Sequence, residues 1–312
     1  TYIYTLSLHD ALPIYTIVLL KNDNNLLPID RSKVKNILVV GPNAIYRQLG
    51  GYSAGQSPNV DTRVNVMALE GIKNEAAAAG ISIRYEKGWL TGKERGLSNV
   101  FDTLPGFDRD DVMIDINPGV DGVDQLSVLA GLLGPKDESR KRHIPVDPDY
   151  KADENLLFSR ALAAAAKADL VIIVAGTDDT TGSEEKDRET LALPYGQDEK
   201  IRDLIDVNPD TVVVLVTMGA VTGRFIEQSP ALLNAHFAGQ AQGEAIANVL
   251  FGKVNPNAKL SATWYRSLDD LPHVNDYGLK KQDTYDKKAR TYQYFDQPVL
   301  FPFGYGLSYT RY

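Results

Sequence analysis

The chain has no cysteine at all among its 312 residues. That removes disulfides, zinc–thiolate sites and cysteine nucleophiles together, while leaving the compartment undetermined. It has few histidines, only His9, His143, His236 and His273, and none stand at a metal-binding spacing such as H-E-x-x-H. Basic residues are outnumbered: 33 Lys and Arg against 41 Asp and Glu leave a formal charge of −8. A nucleic-acid surface needs clustered cations to neutralise phosphates, so the balance argues against nucleic acid as a partner. Long apolar runs are also missing. The longest, Leu170–Ala175 and Thr211–Val216, are strand-sized and far short of the ~18 residues of a spanning helix. No membrane partner is expected. What is present, 43% apolar and 24% charged residues, is ordinary for a globular protein.

The N-terminus lacks an initiator Met and the basic region of a signal peptide. Ser7–Ile14 reads like translated adapter sequence, so residues 1–15 are expected to be a non-native or disordered segment. If so, protein that belongs upstream is missing. The remainder, 16–312, is read as a single α/β domain. Apolar, β-branched strands are predicted at Asn36–Val40, Ile81–Tyr85, Leu170–Ala175, Thr211–Thr217 and Ala231–His236. Helical spacing marks Val64–Ala79, Glu154–Ala168, Gln197–Val207 and Gln242–Phe251. Continuous rather than alternating apolar strands imply burial on both faces. With helices between them, this predicts a mainly parallel sheet flanked by helices.

Two regions depart from that pattern. Residues 92–150 form an Asp-rich, irregular insertion. Asp108 and Asp110 suit two positions of a calcium loop, but Val112 occupies the third, so no metal is expected. Residues 264–312 are rich in aromatics and glycine, which suggests an irregular tail lying on the sheet domain.

Gly51-Tyr-Ser53-Ala-Gly55 matches the G-x-S-x-G elbow of serine esterases. That elbow requires a strand directly before it and a helix directly after it. Here the strand ends some ten residues earlier and Gln56–Asp61 is no helix start. A Gly-rich surface loop explains it better. Gly41-Pro42-Asn43 lacks the second glycine of a dinucleotide fingerprint, and Pro42 removes an amide that could bind phosphate. No cofactor is expected. His236, at the end of a predicted strand, is the only histidine placed to approach a cleft.

The segment Gly176–Arg188 carries more information. It follows a buried strand and holds Asp178, Asp179, Glu184, Glu185, Asp187 and Arg188. In open α/β sheets, ligands bind outside the carboxyl ends of strands. A carboxyl group there can act as a general acid if burial or a neighbouring charge raises its pKa.

Four blocks, in order, resemble the C-terminal α/β sandwich domain of glycoside hydrolase family 3. Val18–Pro28 is similar to the junction between that family's N-terminal barrel and its sandwich. Gly176-Thr-Asp178, Glu184, Asp187-Arg188, Leu191–Pro194 and Gln197 resemble its acid/base loop and following helix. Gly239-Gln240, Gly243, Ala245–Gly252 and Asn255-Pro256 resemble its most recognisable helix and turn. Tyr294-Phe295 and Pro302–Thr310 resemble its closing motif. Tyr195-Gly196 replaces the more usual Gly after Leu-Pro, and Ala238 and Ala241-Gln242 depart from a Pro and Glu-Gly pattern.

The resemblance implies a retaining β-glycosidase acting on terminal β-linked glucose or xylose in oligosaccharides. Glu184, three residues before the Asp-Arg pair, is the implied acid/base, with Glu185 as second choice. Asp187 and Arg188 are expected to brace the loop as an ion pair. The loop, with Gly50–Ser53, leans toward the xylosidase-like branch. The barrel and its nucleophilic Asp have no counterpart here. The chain alone is therefore expected to be inactive, and an apolar patch is expected where a barrel would pack. The resemblance fits a periplasmic or secreted enzyme but leaves compartment open. The rival readings are a non-catalytic carbohydrate-binding or scaffolding domain and, more remotely, the serine esterase.

Overall fold

A computed structural model describes residues 16–46, 66–97, 149, 151–182, 187–239, 241–273, 275–283 and 290–310. The calls on residues 1–15, on the Gly51–Gly55 motif and on the Asp-rich stretch from Asp102 to Asp124 lie outside them.

The described strands are β1 (Val18–Asn22), β2 (Asn36–Val40), β3 (Ser82–Glu86), β4 (Leu170–Gly176), β5 (Thr211–Val216) and β6 (Ala231–Asn234). The helices are α1 (Ala68–Ala78), α2 (Glu154–Ala165), α3 (Gln197–Val207), α4 (Phe225–Gln228) and α5 (Gln242–Leu250). The strands form one sheet in the order β1-β6-β5-β4-β2-β3. Every neighbouring pair is parallel except β1 with β6, which is antiparallel. This is the expected helix-flanked, mainly parallel α/β architecture.

Alternate strand residues point to opposite faces, and here both faces are covered. Ile37, Val39, Ile172, Val174, Val212, Val214 and Leu233 enter one core with Ile72 of α1 and Ile246, Val249 and Leu250 of α5. Leu38, Val40, Val171, Ile173, Val213, Leu215 and Leu232 enter the other with Ala161 of α2, Ile201 and Leu204 of α3, and Phe225 of α4. Two-sided burial is why β4 and β5 read as unbroken apolar runs.

On the first face α1 and α5 come into backbone contact. A Cβ on Gly243 would collide with the Met67 carbonyl, and one on Gly71 with the Gly243 carbonyl. On the second face α2 is capped by Asp153, whose carboxylate accepts from the amides of Asn155 (2.9 Å) and Leu156 (3.1 Å).

The tail packs as expected. Trp264 pairs with Phe301, and Leu307 donates its amide to the Leu19 carbonyl at 2.8 Å. Trp264 and Phe301 are buried edge to face in the second core. Much of the rest of the tail's aromatic surface faces outward: Tyr277, Tyr292, Tyr294 and Phe303 are all exposed.

Three elements differ from the sequence reading. The short helix α4 at Phe225–Gln228 was not expected. Val18–Asn22, read only as a junction, is the antiparallel edge strand β1. The strand expected to run to His236 stops at Asn234, because the chain turns at His236 with φ of 52°. No helix among the described residues is long and apolar enough to cross a membrane.

The sheet order places a switch point between β2 and β4. The chain moves outward from β2 to β3, returns to β4, then proceeds the other way to β5 and β6. The carboxyl ends of β2 and β4 therefore flank the switch point, the position at which open sheets of this kind bind ligands.

At the opposite edge, the Asp169 carboxylate accepts from the amides of Lys35 (2.8 Å) and Asn36 (2.9 Å), joining the starts of β2 and β4. These amides hold the Asp169 carboxyl below its usual range. A depressed native pKa contributes stability that is present above the unfolded value and is lost as pH falls through the native one. Asp169→Asn is expected to lower Tm at neutral pH, with the gap from the parent closing below about pH 4. Thermal melts across pH check this. Gly243→Ala is expected to cost about 1–3 kcal/mol or more in denaturant unfolding, because two backbones must separate.

Candidate active site at the carboxyl edge of the sheet

The site is built at that switch point. After Gly176 the chain leaves the sheet as a loop and returns at Gln197, the first residue of α3. Gln197 is almost completely buried, and its amide closes the loop's base on both sides. Its oxygen accepts from the Gly176 N–H (2.9 Å), and its Nε2 donates to the Gly176 carbonyl (2.8 Å). Both backbone groups at the strand end are thereby satisfied in the protein interior.

The first turn of the loop is cross-linked to three neighbouring elements. Asn43, in the turn after β2, donates from Nδ2 to the Thr177 carbonyl at 3.2 Å across the switch point. The Thr177 hydroxyl accepts from the Met218 amide beyond β5 (3.1 Å). Asp178 is buried and acts as an acceptor hub. It receives the Thr180 amide (3.1 Å) and hydroxyl (2.7 Å), the Gly92 amide (3.0 Å) and the Tyr195 hydroxyl (2.8 and 3.0 Å). The bond to its own i+2 amide is an Asx turn, which is why Asp rather than a longer acid fits here. Gly92 must be glycine. A Cβ there would overlap the hydroxyls of Thr180 and Tyr195.

The 88–97 segment that supplies Gly92 is itself pinned. Lys87 and Glu94 form an ion pair with both side chains fully buried. Glu94 also accepts from the Thr91 amide (2.9 Å) and hydroxyl (2.8 Å). These extra donors matter, because a buried pair holds its charges only when the remaining lone pairs are satisfied.

Glu184 and Glu185 fall within residues 183–186, outside the described residues. The chain re-emerges at Asp187, which is exposed. Arg188 does not pair with it as the sequence reading expected. Its Nη2 donates instead to the Ala220 carbonyl (2.7 Å), fastening the returning limb to the segment after β5. Its Nη1 is shielded from solvent without a hydrogen-bond partner, and burial pulls the guanidinium pKa down. A carbonyl won over a carboxylate here because Asp187 remains in water, where an ion pair gains little.

His236 lies just beyond β6 with its ring against Asn234 Nδ2 (2.8 Å to Nε2). Burial lowers its pKa, favouring the neutral imidazole. His273 belongs to the tail, where its carbonyl accepts from the Asp276 amide. Among the described residues no cluster of three or more His, Asp or Glu could hold a metal ion.

Sequence reasoning located this loop but missed Asp178, Thr180, Tyr195 and Gly92 as a unit. The Asp-x-Thr spacing was a readable local signal for the turn. Nothing in sequence linked Gly92, 86 residues away from Asp178, to it.

Comparison with known proteins agrees with this architecture. The model of the glycosyl hydrolase family 3 C-terminal domain matches residues 17–309. A beta-xylosidase of Formosa agariphila is 29% identical over 306 residues, covering 95% of this chain and 33% of the relative. A probable beta-glucosidase I of Aspergillus niger is 26% identical, covering 95% of this chain and 49% of the relative. The solved structure of a β-glucosidase from Erythrobacter marinus superposes with a TM-score of 0.64 at 31% identity, covering 96% of this chain and 34% of that one. The chain thus spans between a third and a half of these relatives' lengths. From the motif order, the sheet topology and this match, the chain belongs to the glycoside hydrolase family 3 C-terminal domains.

Proposed function

We propose that this chain is the C-terminal domain of a retaining β-glycosidase that releases terminal β-linked glucose or xylose from oligosaccharides, and that Glu184 is its acid/base. The observation that carries the reading is the placement of the 176–197 loop. It leaves the sheet at the switch point with both ends fixed, and in the sequence Glu184 and Glu185 fall between Gly182 and Asp187. The names of the relatives, beta-xylosidase and beta-glucosidase, support the substrate class.

The chemistry assigns the roles. Retaining hydrolysis needs two carboxyl groups about 5–5.5 Å apart. One attacks the anomeric carbon. The other protonates the departing glycosidic oxygen, then removes a proton from the water that releases the sugar. Glu184 takes the second role. The nucleophile comes from an N-terminal barrel that this chain does not include, and the exposed Tyr277, Tyr292, Tyr294 and Phe303 of the tail supply apolar surface of the kind such a domain covers. Glu185 is the alternative acid/base.

Two measurements test this. In the parent enzyme, Glu184→Gln is expected to reduce kcat/KM on an unactivated disaccharide by about 10²–10⁴-fold, with little loss on a dinitrophenyl glycoside, whose leaving group needs no proton. Glu185→Gln should leave both nearly unchanged. The reverse pattern transfers the role to Glu185, and wild-type disaccharide turnover in both variants removes the reading. Separately, the chain by itself is expected to release no nitrophenol from nitrophenyl β-glucoside or β-xyloside. Turnover by the isolated chain would show that it needs no external nucleophile.

A further inference from the structure

The turn between β6 and α5 is held by a side-chain pair that the catalytic reading does not use. His236 follows β6 with φ of 52°, in the left-handed region, where a ringed side chain persists only if its surroundings impose it. It is half-buried. Its partner on β6, Asn234, is completely shut off from water. Asn234 Nδ2 lies 2.8 Å from His236 Nε2 and 3.2 Å from Nδ1. The same side chain presents Oδ1 to the His236 N–H and to the Thr217 hydroxyl, each at 3.4 Å. On the far side Gln242, the first residue of α5, donates from Nε2 to the His236 carbonyl at 3.2 Å. His236 thus joins the end of one element to the start of the next.

We propose that His236 is a pH-sensitive catch on this turn: the neutral imidazole accepts the Asn234 amide and holds the turn closed, and a proton on the ring sets donor against donor and releases it. The inference does not rest on the acid/base reading above. It follows from the donor inventory. An Asn amide nitrogen only donates. An imidazole accepts only while one ring nitrogen is bare, and once charged both its nitrogens donate. Turning the Asn234 amide over would offer its oxygen to the charged ring. It would also turn Nδ2 toward the His236 N–H, which is a donor as well. No orientation of Asn234 satisfies both the ring and the backbone of a charged His236. Because Asn234 is buried, water does not make up the loss.

The direction of the response follows from the surroundings. The polar side chains around His236 and its Asn234 partner are Asn234 of β6, Gln242 of α5 and Thr217 after β5, and all three are uncharged. Burial is the sole cause that moves the imidazole, and it holds the pKa below the ordinary histidine value. A histidine depressed in this way binds its proton more readily in the unfolded chain. Its contribution to stability is whole above about pH 6.5 and is lost as pH falls through the native value.

The test uses this chain and its His236→Asn variant. Asparagine tolerates a positive φ and offers an acceptor oxygen, but it takes no proton. Titration of the His236 ring by NMR gives the pH at which it charges. Amide hydrogen exchange, corrected for the intrinsic rate, reads the turn. The ring is expected to charge with a midpoint below about pH 6.5. Across the same pH range the His236 and Gln242 amides, bonded to Asn234 and to the Gly239 carbonyl, should exchange about 10-fold faster or more while β4 and β5 stay protected. His236→Asn should remove that rise. A midpoint at or above that of an ordinary histidine, exchange at the turn that does not follow the ring, or a rise that persists in His236→Asn overturns the proposal. So does a rise spread evenly over β4 and β5, which reports global unfolding. If the variant does not fold, the coincidence of ring titration and local exchange in the unaltered chain decides alone.

Discussion

Everything else in this molecule follows from a sheet buried on both faces. β2, β4 and β5 have no solvent side on which to present a polar group: Val171, Ile172, Ile173, Val174, Val212, Val213 and Val214 are all closed off from water. Chemistry is therefore confined to strand ends. At one end Asp169 joins the starts of β2 and β4. At the other lies the switch point, where the order of the strands reverses between β2 and β4. The polar groups that gather there, Asn43, Thr177, Asp178 and Gln197, first satisfy backbone groups leaving the core. An unpaired amide or carbonyl at such a depth would cost as much as a lost hydrogen bond.

Most of that frame was legible in the sequence because two-sided burial writes itself as unbroken apolar runs. β4, β5 and α3 are bounded almost as the pattern suggests, since Gly176 and Gly196 punctuate their ends. β1 was not legible. It has three core residues, Val18, Leu19 and Leu20, followed by Lys21 and Asn22, and its strand character comes from pairing with β6 over 200 residues away. The end of β6 was overread because Ala235 and His236 continue the composition of a strand, whereas a positive φ at His236 ends it.

The site divides along the same line. Its position came from local sequence: a polar loop after a buried strand. Glu184 and Glu185 came from motif resemblance, because no physical signal separates two adjacent glutamates. The Asp187–Arg188 ion pair came with the family resemblance and fails on solvation. Asp187 faces water and Arg188 turns inward to Ala220. The hub at Asp178 was invisible because its partners come from three separate segments, and only folding brings Gly92, Thr180 and Tyr195 to one carboxylate.

The described limbs of the loop are held by bonds to separate elements. Asp178 and Thr177 tie the outgoing limb to Gly92 and to Met218 beyond β5. Gln197 and Tyr195 tie the returning limb to Gly176 and Asp178, and Arg188 ties the same limb to the Ala220 carbonyl after β5. The departure at Tyr195-Gly196 fits this pattern. A glycine there would satisfy the turn at lower conformational strain, but it would carry no hydroxyl to Asp178, and the strain in Tyr195, whose φ is 63°, is the cost of that bond.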